Sequence, residues 1–207
     1  MKAKVPNSGH HTIDRSQGCA ILRLASAEPT NVLSKAVISS LRLVVEEFTD
    51  DASNGRLKAL IITGNENFFS AGADLKEISQ LRSPAAFEFS RHGQKLTQSI
   101  DSFPVPVIAA IRGYCMGGGM DLALACDYRI AAPNAVFGHR GASLGVITGW
   151  GGTQRLPRLV GKARALEMFL QAEMVKADEA LRIGLVDKVV DDPVAHSLEL
   201  LHSRTLI

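Results

Sequence analysis

Residues 106–132 read PVIAAIRGYCMGGGMDLALACDYRIAA, and this stretch decides the fold. Its first part, Val107–Ile111, is a continuous apolar run, which is typical of a strand covered on both faces. The three glycines at 117–119 predict a tight turn, and the apolar residues 120–125 predict a helix. Residues 127–132 predict a further strand. A strand, a turn, a helix and a strand in this order indicate the α/β class.

The same alternation extends toward the N-terminus. Residues 57–63 (LKALIIT) predict a second buried strand, and Cys19–Leu24 predicts a short one. Between them, Ser34 is predicted to cap a helix with one apolar stripe, which ends in a turn at residues 50–55. A longer helix is predicted over residues 83–102, with Ser83 as its cap and Pro84 at the first helical position.

Toward the C-terminus the pattern changes to a glycine-rich loop and short helices. Residues 145–152 form the loop, and helices are predicted over 161–171 and 176–183. Gly184 is placed to end the second of these helices.

A second turn of small residues, FSAGAD at 69–74, has the same design as the turn at 113–119. Each follows a strand and leads into a helix, where free backbone N–H groups carry the positive end of the helix dipole. Two such turns facing each other would direct two N–H donors at one oxygen, as in an oxyanion hole. Tight packing or phosphate binding are the alternatives. Neither turn has the G-x-G-x-x-G pattern of a dinucleotide site.

Composition excludes several classes of protein. The 207 residues are 46% hydrophobic and 21% charged with a net charge of +2, and no basic stripe indicates nucleic-acid binding. Three cysteines without close spacing favour free buried thiols over a disulfide framework or a metal site. No apolar run is long enough for a membrane span. The polar N-terminus, with Lys2, Lys4 and Arg15, lacks a secretory signal, so a cytoplasmic location is expected, with the mitochondrial matrix as the alternative.

Four segments in order resemble the enoyl-CoA hydratase/isomerase superfamily, the crotonases. They are SAGADLKE at 70–77, the stretch at 106–132, LGVITGWGGTQRLPRLVGKARALEM at 144–168 and ADEALRIGLVDKVV at 177–190. The resemblance implies a single domain over residues 1–207 with a core of about 12–190, built as a spiral of ββα units with surrounding helices. It also implies a homotrimer or a hexamer.

The resemblance implies an acyl-CoA substrate, with coenzyme A present only as part of the thioester and no metal or bound cofactor. The backbone N–H groups of Ala73 and Gly118 would form the oxyanion hole. The residues implied to bind the CoA thioester are Ala71, Ala73, Asp74, Leu75, Lys76, Gly118 and Trp150. Lys76 is either close to the CoA phosphates or a solvated helix lysine, and Trp150 either lines the acyl pocket or anchors the packing.

The chain departs from the two-glutamate pattern of the family's hydratases. The first glutamate position is Asp121 and the second is Gly141, so one carboxylate is shortened and the other is absent. Beside the vacant position, His139 is a candidate acid or base, and Arg140 is a candidate partner for a substrate carboxylate. Both are alternatively surface or salt-bridged residues. Replacing both Asp121 and Gly141 by glutamate would be expected to raise hydratase activity.

These observations predict an acyl-CoA-processing enzyme of fatty-acid or related metabolism that stabilises a thioester enolate. The vacant glutamate position leaves open a double-bond isomerase or a decarboxylase, because both reactions require fewer proton-transferring groups than hydration. A catalytically silent acyl-CoA-binding or assembly protein is the non-enzymatic alternative. The family's C-terminal helical region is short or absent in a chain that stops at Ile207, which predicts an exposed apolar patch.

Overall fold

The computed structural model describes residues 9–202. Lys2, Lys4 and Ile207 lie outside the described residues. The strands are β1 His11–Ser16, β2 Cys19–Leu24, β3 Val32–Leu33, β4 Ala59–Thr63, β5 Phe68–Ser70, β6 Gly72–Ala73, β7 Val107–Ile111, β8 Tyr114–Met116, β9 Tyr128–Ala131, β10 Val136–Gly138, β11 Met174–Lys176 and β12 Lys188–Val189. The helices are α1 Lys35–Ser53, α2 Leu75–Ser79, α3 Ser83–Asp101, α4 Gly118–Leu124, α5 Gly152–Val160, α6 Lys162–Leu170, α7 Ala177–Arg182 and α8 Pro193–His202, with a 3-10 helix at Arg140–Leu144.

The central sheet has six strands in the order β1-β2-β4-β7-β9-β12. Its strands are parallel except for β1, which pairs with β2 in an antiparallel hairpin. Ile61 and Ile108 face α8 on one side, while Leu60 and Ile62 join the main core on the other. Because both faces are covered, these strands are apolar without alternation, as the sequence indicates.

A second sheet, in the order β11-β10-β8-β5, receives the short strand that follows each long one. Thus β4, β7 and β9 lie in the central sheet, whereas β5, β8 and β10 lie side by side in the second. The small pair β3-β6 extends the same pattern. This repetition is the predicted spiral of ββα units, and it brings the turns after β5 and β8 to one place.

Several predicted helix ends are confirmed. The Ser34 hydroxyl accepts a hydrogen bond from the Val37 amide at 3.3 Å, and the Asp74 carboxylate accepts one from the Lys76 amide at 2.8 Å. Gly184 follows α7 with a φ of 74°, the left-handed conformation of a helix C-terminal glycine.

Other sequence predictions at the level of elements are wrong. Residues 50–53 continue α1 instead of forming a turn, because Ala52 buries its side chain on the helix's apolar stripe. Ser83 is not the cap of α3: Arg82 occupies that position without a side-chain hydrogen bond. Helices α5 and α8 and strand β1 are missed. Helix α5 begins among glycines and contains Pro157, both of which weaken a helical pattern.

Arg129, on β9, is a buried cation with a complete set of partners. Its guanidinium donates to the carbonyls of Cys126 at 2.7 Å and Leu185 at 3.1 Å, and it pairs with Asp187 at 3.2 Å. These contacts join β9 to the segment that precedes β12. The three cysteines are buried and free, as predicted.

Exposed apolar side chains occur on α6, β11 and α7. They are Leu166, Leu170, Met174 and Leu181, each at least 45% exposed. These side chains do not show where a C-terminal helical region would dock. The predicted apolar patch therefore stays a prediction.

Candidate active site

The two turns of small residues lie against each other, backbone on backbone. Gly72 has a φ of 94°, and a β-carbon on it would lie 2.7 Å from the Met116 carbonyl oxygen and 2.9 Å from the Gly118 nitrogen. A side chain at position 72 would therefore separate the turns. The glycine permits both the left-handed conformation and the close approach that brings β6 to the start of α4.

Beside these turns lies a cavity of about 550 Å³ with mainly apolar walls. Most predicted site residues line it: Ala71, Ala73, Leu75, Gly118, Asp121, His139, Arg140, Gly141 and Trp150. Asp74 and Lys76 do not line it. The Asp74 carboxylate caps α2, and the Lys76 side chain is exposed, in agreement with the alternative of a solvated helix lysine. A pocket of this size with few polar groups is typical of a small-molecule site.

Asp121 is the buried carboxylate of the cavity, with 1% of its surface exposed. It lies in the first turn of α4, and its Oδ2 accepts a hydrogen bond from the Thr148 hydroxyl. Burial raises the pKa of Asp121 to about 6, although the Thr148 hydroxyl, the Trp150 and Gly152 amides and Arg155 lower it. The carboxyl group therefore titrates close to neutral pH, as an acid–base catalyst requires.

His139 is not a surface residue. Its side chain is 4% exposed, and its Nε2 lies 3.3 Å from Oδ1 of Asp121. Burial lowers the pKa of His139 to about 4, so the imidazole is neutral at pH 7. Arg140, in contrast, is exposed in the 3-10 helix and also lines the cavity, so its role as a partner for a substrate carboxylate stays a prediction.

Gly141 leaves no room for a side chain. A β-carbon at this position would overlap the Val146 carbonyl oxygen and lie 3.5 Å from the Ile147 α-carbon. The Val146 amide donates to the Gly141 carbonyl at 3.0 Å, which holds the loop in this conformation. A glutamate at 141 would therefore require the backbone at Val146 to shift, and the expectation that the double replacement raises hydratase activity stays a prediction.

Trp150 combines the two roles weighed for it. It lines the cavity and is 4% exposed, and its ring packs between Gly93 of α3 and Gly118 of α4, where added β-carbons would overlap it. Phe89 completes the cluster, with ring centroids 5.6 Å from those of Trp150. The indole thus fixes the start of α4 and forms a wall of the cavity.

Sequence reasoning missed Thr148 and Gly152. Thr148 holds the Asp121 carboxylate, and a β-carbon on Gly152 would overlap Asp121 Oδ1 and lie 3.0 Å from His139 Nε2. Both residues belong to the conspicuous segment TGWGG at 148–152. No local pattern, however, shows that this segment folds back on α4.

The rim of the cavity is apolar and open. Leu75 is 55% exposed, Leu144 55% and Ile147 70%, and all three line the cavity.

No helix within residues 9–202 combines the length and apolar character that crossing a bilayer requires. Across the same part of the chain, no three histidine, cysteine or acidic side chains are grouped to hold a metal ion.

Curated relatives of this chain are named as crotonyl-CoA or enoyl-CoA hydratases. Crotonyl-CoA hydratase of Syntrophomonas wolfei is 42% identical over 179 residues, which cover 86% of this chain and 68% of the relative. Short-chain-enoyl-CoA hydratase of Clostridium acetobutylicum is 38% identical over 180 residues, with 86% and 68% covered. The chain thus spans about two thirds of the length of these curated relatives.

Solved structures agree with the fold. Pseudomonas aeruginosa DspI matches with a TM-score of 0.91 at 34% identity, covering 100% of this chain and 84% of DspI. Enoyl-CoA hydratase from Bacillus anthracis matches with a TM-score of 0.83 at 34% identity, covering 95% and 74%. Residues 14–205 match the sequence profile described as enoyl-CoA hydratase/isomerase. The chain belongs to the enoyl-CoA hydratase/isomerase family.

Proposed function

We propose that this chain binds an enoyl-CoA thioester with its carbonyl oxygen at the amides of Ala73 and Gly118. Asp121 then moves a proton to or from the carbon next to the carbonyl. The observation that carries the proposal is a single buried carboxylate in an apolar cavity that is also lined by two turns of small residues, which include Ala73 and Gly118. The curated relatives support an acyl-CoA substrate, since they are named for enoyl-CoA and crotonyl-CoA.

Two features support Ala73 and Gly118 as donors. The Asp74 amide, not that of Ala73, donates to the Leu33 carbonyl at 3.4 Å. Because alternate residues of a strand face the neighbouring strand, the Ala73 amide is directed away from β3. Gly118 is the first residue of α4, so its amide has no acceptor within the helix. Both residues line the cavity.

The polar groups favour a one-base reaction. Moving a double bond from the 3 to the 2 position requires one group that takes a proton from the α-carbon and returns it to the γ-carbon. The ionised Asp121 carboxylate performs both transfers, while the thioester oxygen carries the enolate charge at the two amides. Position 141, which holds the hydratases' second glutamate in the resemblance, has no space for another carboxylate.

A substrate panel with a matched pair of variants tests the proposal. The wild type, Asp121→Asn and the exposed control Asp178→Asn are incubated with a 3-enoyl-CoA, crotonyl-CoA and methylmalonyl-CoA, and products are followed by mass. We expect isomerisation by the wild type and the control. Asp121→Asn should lower kcat about 100- to 10,000-fold with KM nearly unchanged, because its amide cannot carry the proton.

Each alternative gives a distinct result. Unchanged turnover by Asp121→Asn removes this residue from the reaction. Loss of carbon dioxide from methylmalonyl-CoA identifies a decarboxylase. Calorimetry with a non-hydrolysable acyl-CoA separates a silent binding protein, which binds without turnover, from a protein that does not bind CoA thioesters at all.

A further inference from the structure

We propose that His139 is a second catalytic residue, which together with Asp121 adds water to a 2-enoyl thioester in place of a second carboxylate. The inference rests on the proposed function, because it needs the same thioester and the same enolate site. The inference goes beyond the proposed function in two respects. It assigns a residue that accepts a proton from water, and it adds hydration to isomerisation as a second reaction at this site.

The geometry that carries the inference is the pair itself. Nε2 of His139 and Oδ1 of Asp121 are 3.3 Å apart, and the two side chains are 4% and 1% exposed. Neither atom makes a hydrogen bond of ordinary geometry among the described residues, although the Trp150 and Gly152 amides lie close enough to the Asp121 carboxylate to lower its pKa. Buried polar atoms are normally paired, so two such atoms on a cavity wall are suited to contact with a substrate or a water molecule.

The surrounding elements keep the two atoms together. Thr148 holds Oδ2 of Asp121 and thereby directs Oδ1 toward His139. The His139 ring packs on Phe169 of α6, with ring centroids 5.2 Å apart. At the start of α5, a β-carbon on Gly152 would overlap Oδ1 of Asp121 and lie 3.0 Å from Nε2 of His139, so the glycine leaves room for the pair.

Hydration by this pair is balanced in atoms and electrons. Nε2 of His139 takes a proton from water, the resulting hydroxide bonds to the β-carbon, and the double-bond electrons move to the thioester oxygen. Protonated Asp121 then gives its proton to the α-carbon, and the carbonyl re-forms. The imidazolium proton of His139 passes to Asp121 over the 3.3 Å that separate them, which restores the starting state.

This cycle requires the pair to hold one proton. Besides each other, the titratable and charged groups near the pair are Arg155 of α5, which lowers the pKa of Asp121, and the buried thiol of Cys115 on β8. Burial places the pKa of Asp121 at about 6 and that of His139 at about 4, so the pair holds one proton between these values. Isomerisation instead requires Asp121 to be ionised.

The wild-type pH dependence therefore separates the two reactions. We expect kcat/KM for hydration of crotonyl-CoA to be bell-shaped, with a maximum near pH 5 and a fall of about tenfold per pH unit above 6. For isomerisation of a 3-enoyl-CoA, kcat/KM should rise through pH 6 to a plateau. Hydration that is independent of pH between 6 and 8 overturns the assignment.

Substitution gives an independent test. His139→Gln keeps a polar side chain of similar size but cannot accept a proton, so the ratio of hydration to isomerisation turnover should fall about 100-fold. His92→Gln, half-buried on α3 outside the cavity, should leave the ratio unchanged. A wild-type ratio in His139→Gln, or isomerisation without any hydration in the wild type, overturns the role of His139. Absence of both reactions and of acyl-CoA binding refutes the proposed function itself. If His139→Gln does not fold, the wild-type pH profiles decide.

Discussion

Replacing Asp121 by asparagine is expected to stabilise the protein at pH 8 while it removes activity. Burial raises the pKa of Asp121 from 3.8 to about 6, so the folded state holds an ionised carboxylate that is more stable in the unfolded chain. A difference of about 2 pKa units corresponds to about 3 kcal/mol at pH 8. The weakened hydrogen bond from Thr148 costs about 1 kcal/mol, which leaves a net gain of about 2 kcal/mol.

The gain depends on pH in a defined direction. A carboxyl group whose pKa is raised by folding costs nothing below its unfolded value, and its cost grows as the pH rises through the folded value. For Asp121 this window extends from pH 3.8 to about pH 6. The difference in unfolding free energy between Asp121→Asn and the wild type should therefore be largest above pH 6 and fall by about 3 kcal/mol toward pH 4, where only the cost of the weakened Thr148 hydrogen bond remains.

The contribution of His139 to the free energy of unfolding changes over a similar pH range, but in the opposite direction to that of Asp121. Burial lowers its pKa from 6.5 to about 4, so the unfolded chain binds the proton first and stability falls as the pH drops from 6.5 toward 4. In the wild type the contributions of Asp121 and His139 largely cancel. Asp121→Asn removes one of them, and its stability should fall by about 3 kcal/mol between pH 7 and pH 4.

Urea unfolding at pH values from 4 to 8 measures these differences. Asp178→Asn is the control, since Asp178 is exposed at the start of α7, and its difference from the wild type should not follow the same curve. A difference for Asp121→Asn that is constant across this range would show that the carboxyl group is not desolvated. That result would also remove the physical reason for a pKa near neutrality.

Two further substitutions test the packing around the site. Arg129→Met leaves two buried carbonyl partners unpaired, at about 1–3 kcal/mol each, and should lower the free energy of unfolding in urea accordingly, whereas Arg182→Met, exposed on α7, should leave it unchanged. Gly93→Ala would place a β-carbon against the Trp150 ring and should cost about 1–3 kcal/mol with a shift in tryptophan fluorescence, while Gly9→Ala, in open space, should change neither.

The sequence predicts elements well where local physics determines them. The apolar runs of β4 and β7, short and bounded by glycine or proline, favour strands covered on both sides, and Ser34 and Asp74 cap helices through their own side chains. Helix α8 is different. Its stability depends on the face of the central sheet formed by Ile61 and its neighbours, which a local sequence window does not contain.

The same distinction applies to the site. Backbone turns at 69–74 and 113–119 can be recognised because glycine and alanine are needed wherever chains approach closely. The environment of His139 cannot be recognised from the sequence. A histidine that follows a strand has no sequence feature that shows whether its side chain is solvated or buried against Asp121. The pair is buried by residues 148–152, which return onto α4, and by the Phe169 ring of α6, both distant in the sequence.

The conformation of the loop after β10 explains why His139, and not residue 141, would be the second proton-transferring group. A β-carbon on Gly141 would overlap the Val146 carbonyl oxygen, so a carboxylate side chain at that position would require the backbone there to shift. A proton acceptor beside Asp121 must therefore come from a residue whose backbone already lies within reach, and His139 meets this condition. Burial of Asp121 and His139 lowers the free energy of unfolding when either group is charged. The same burial raises the pKa of Asp121 to about 6 and lowers that of His139 to about 4, so the imidazole is unprotonated at neutral pH. Trp150, Thr148 and the start of α5 exclude water from the two side chains. This exclusion lowers the free energy of unfolding, and it also sets the pKa values that allow the pair to transfer protons.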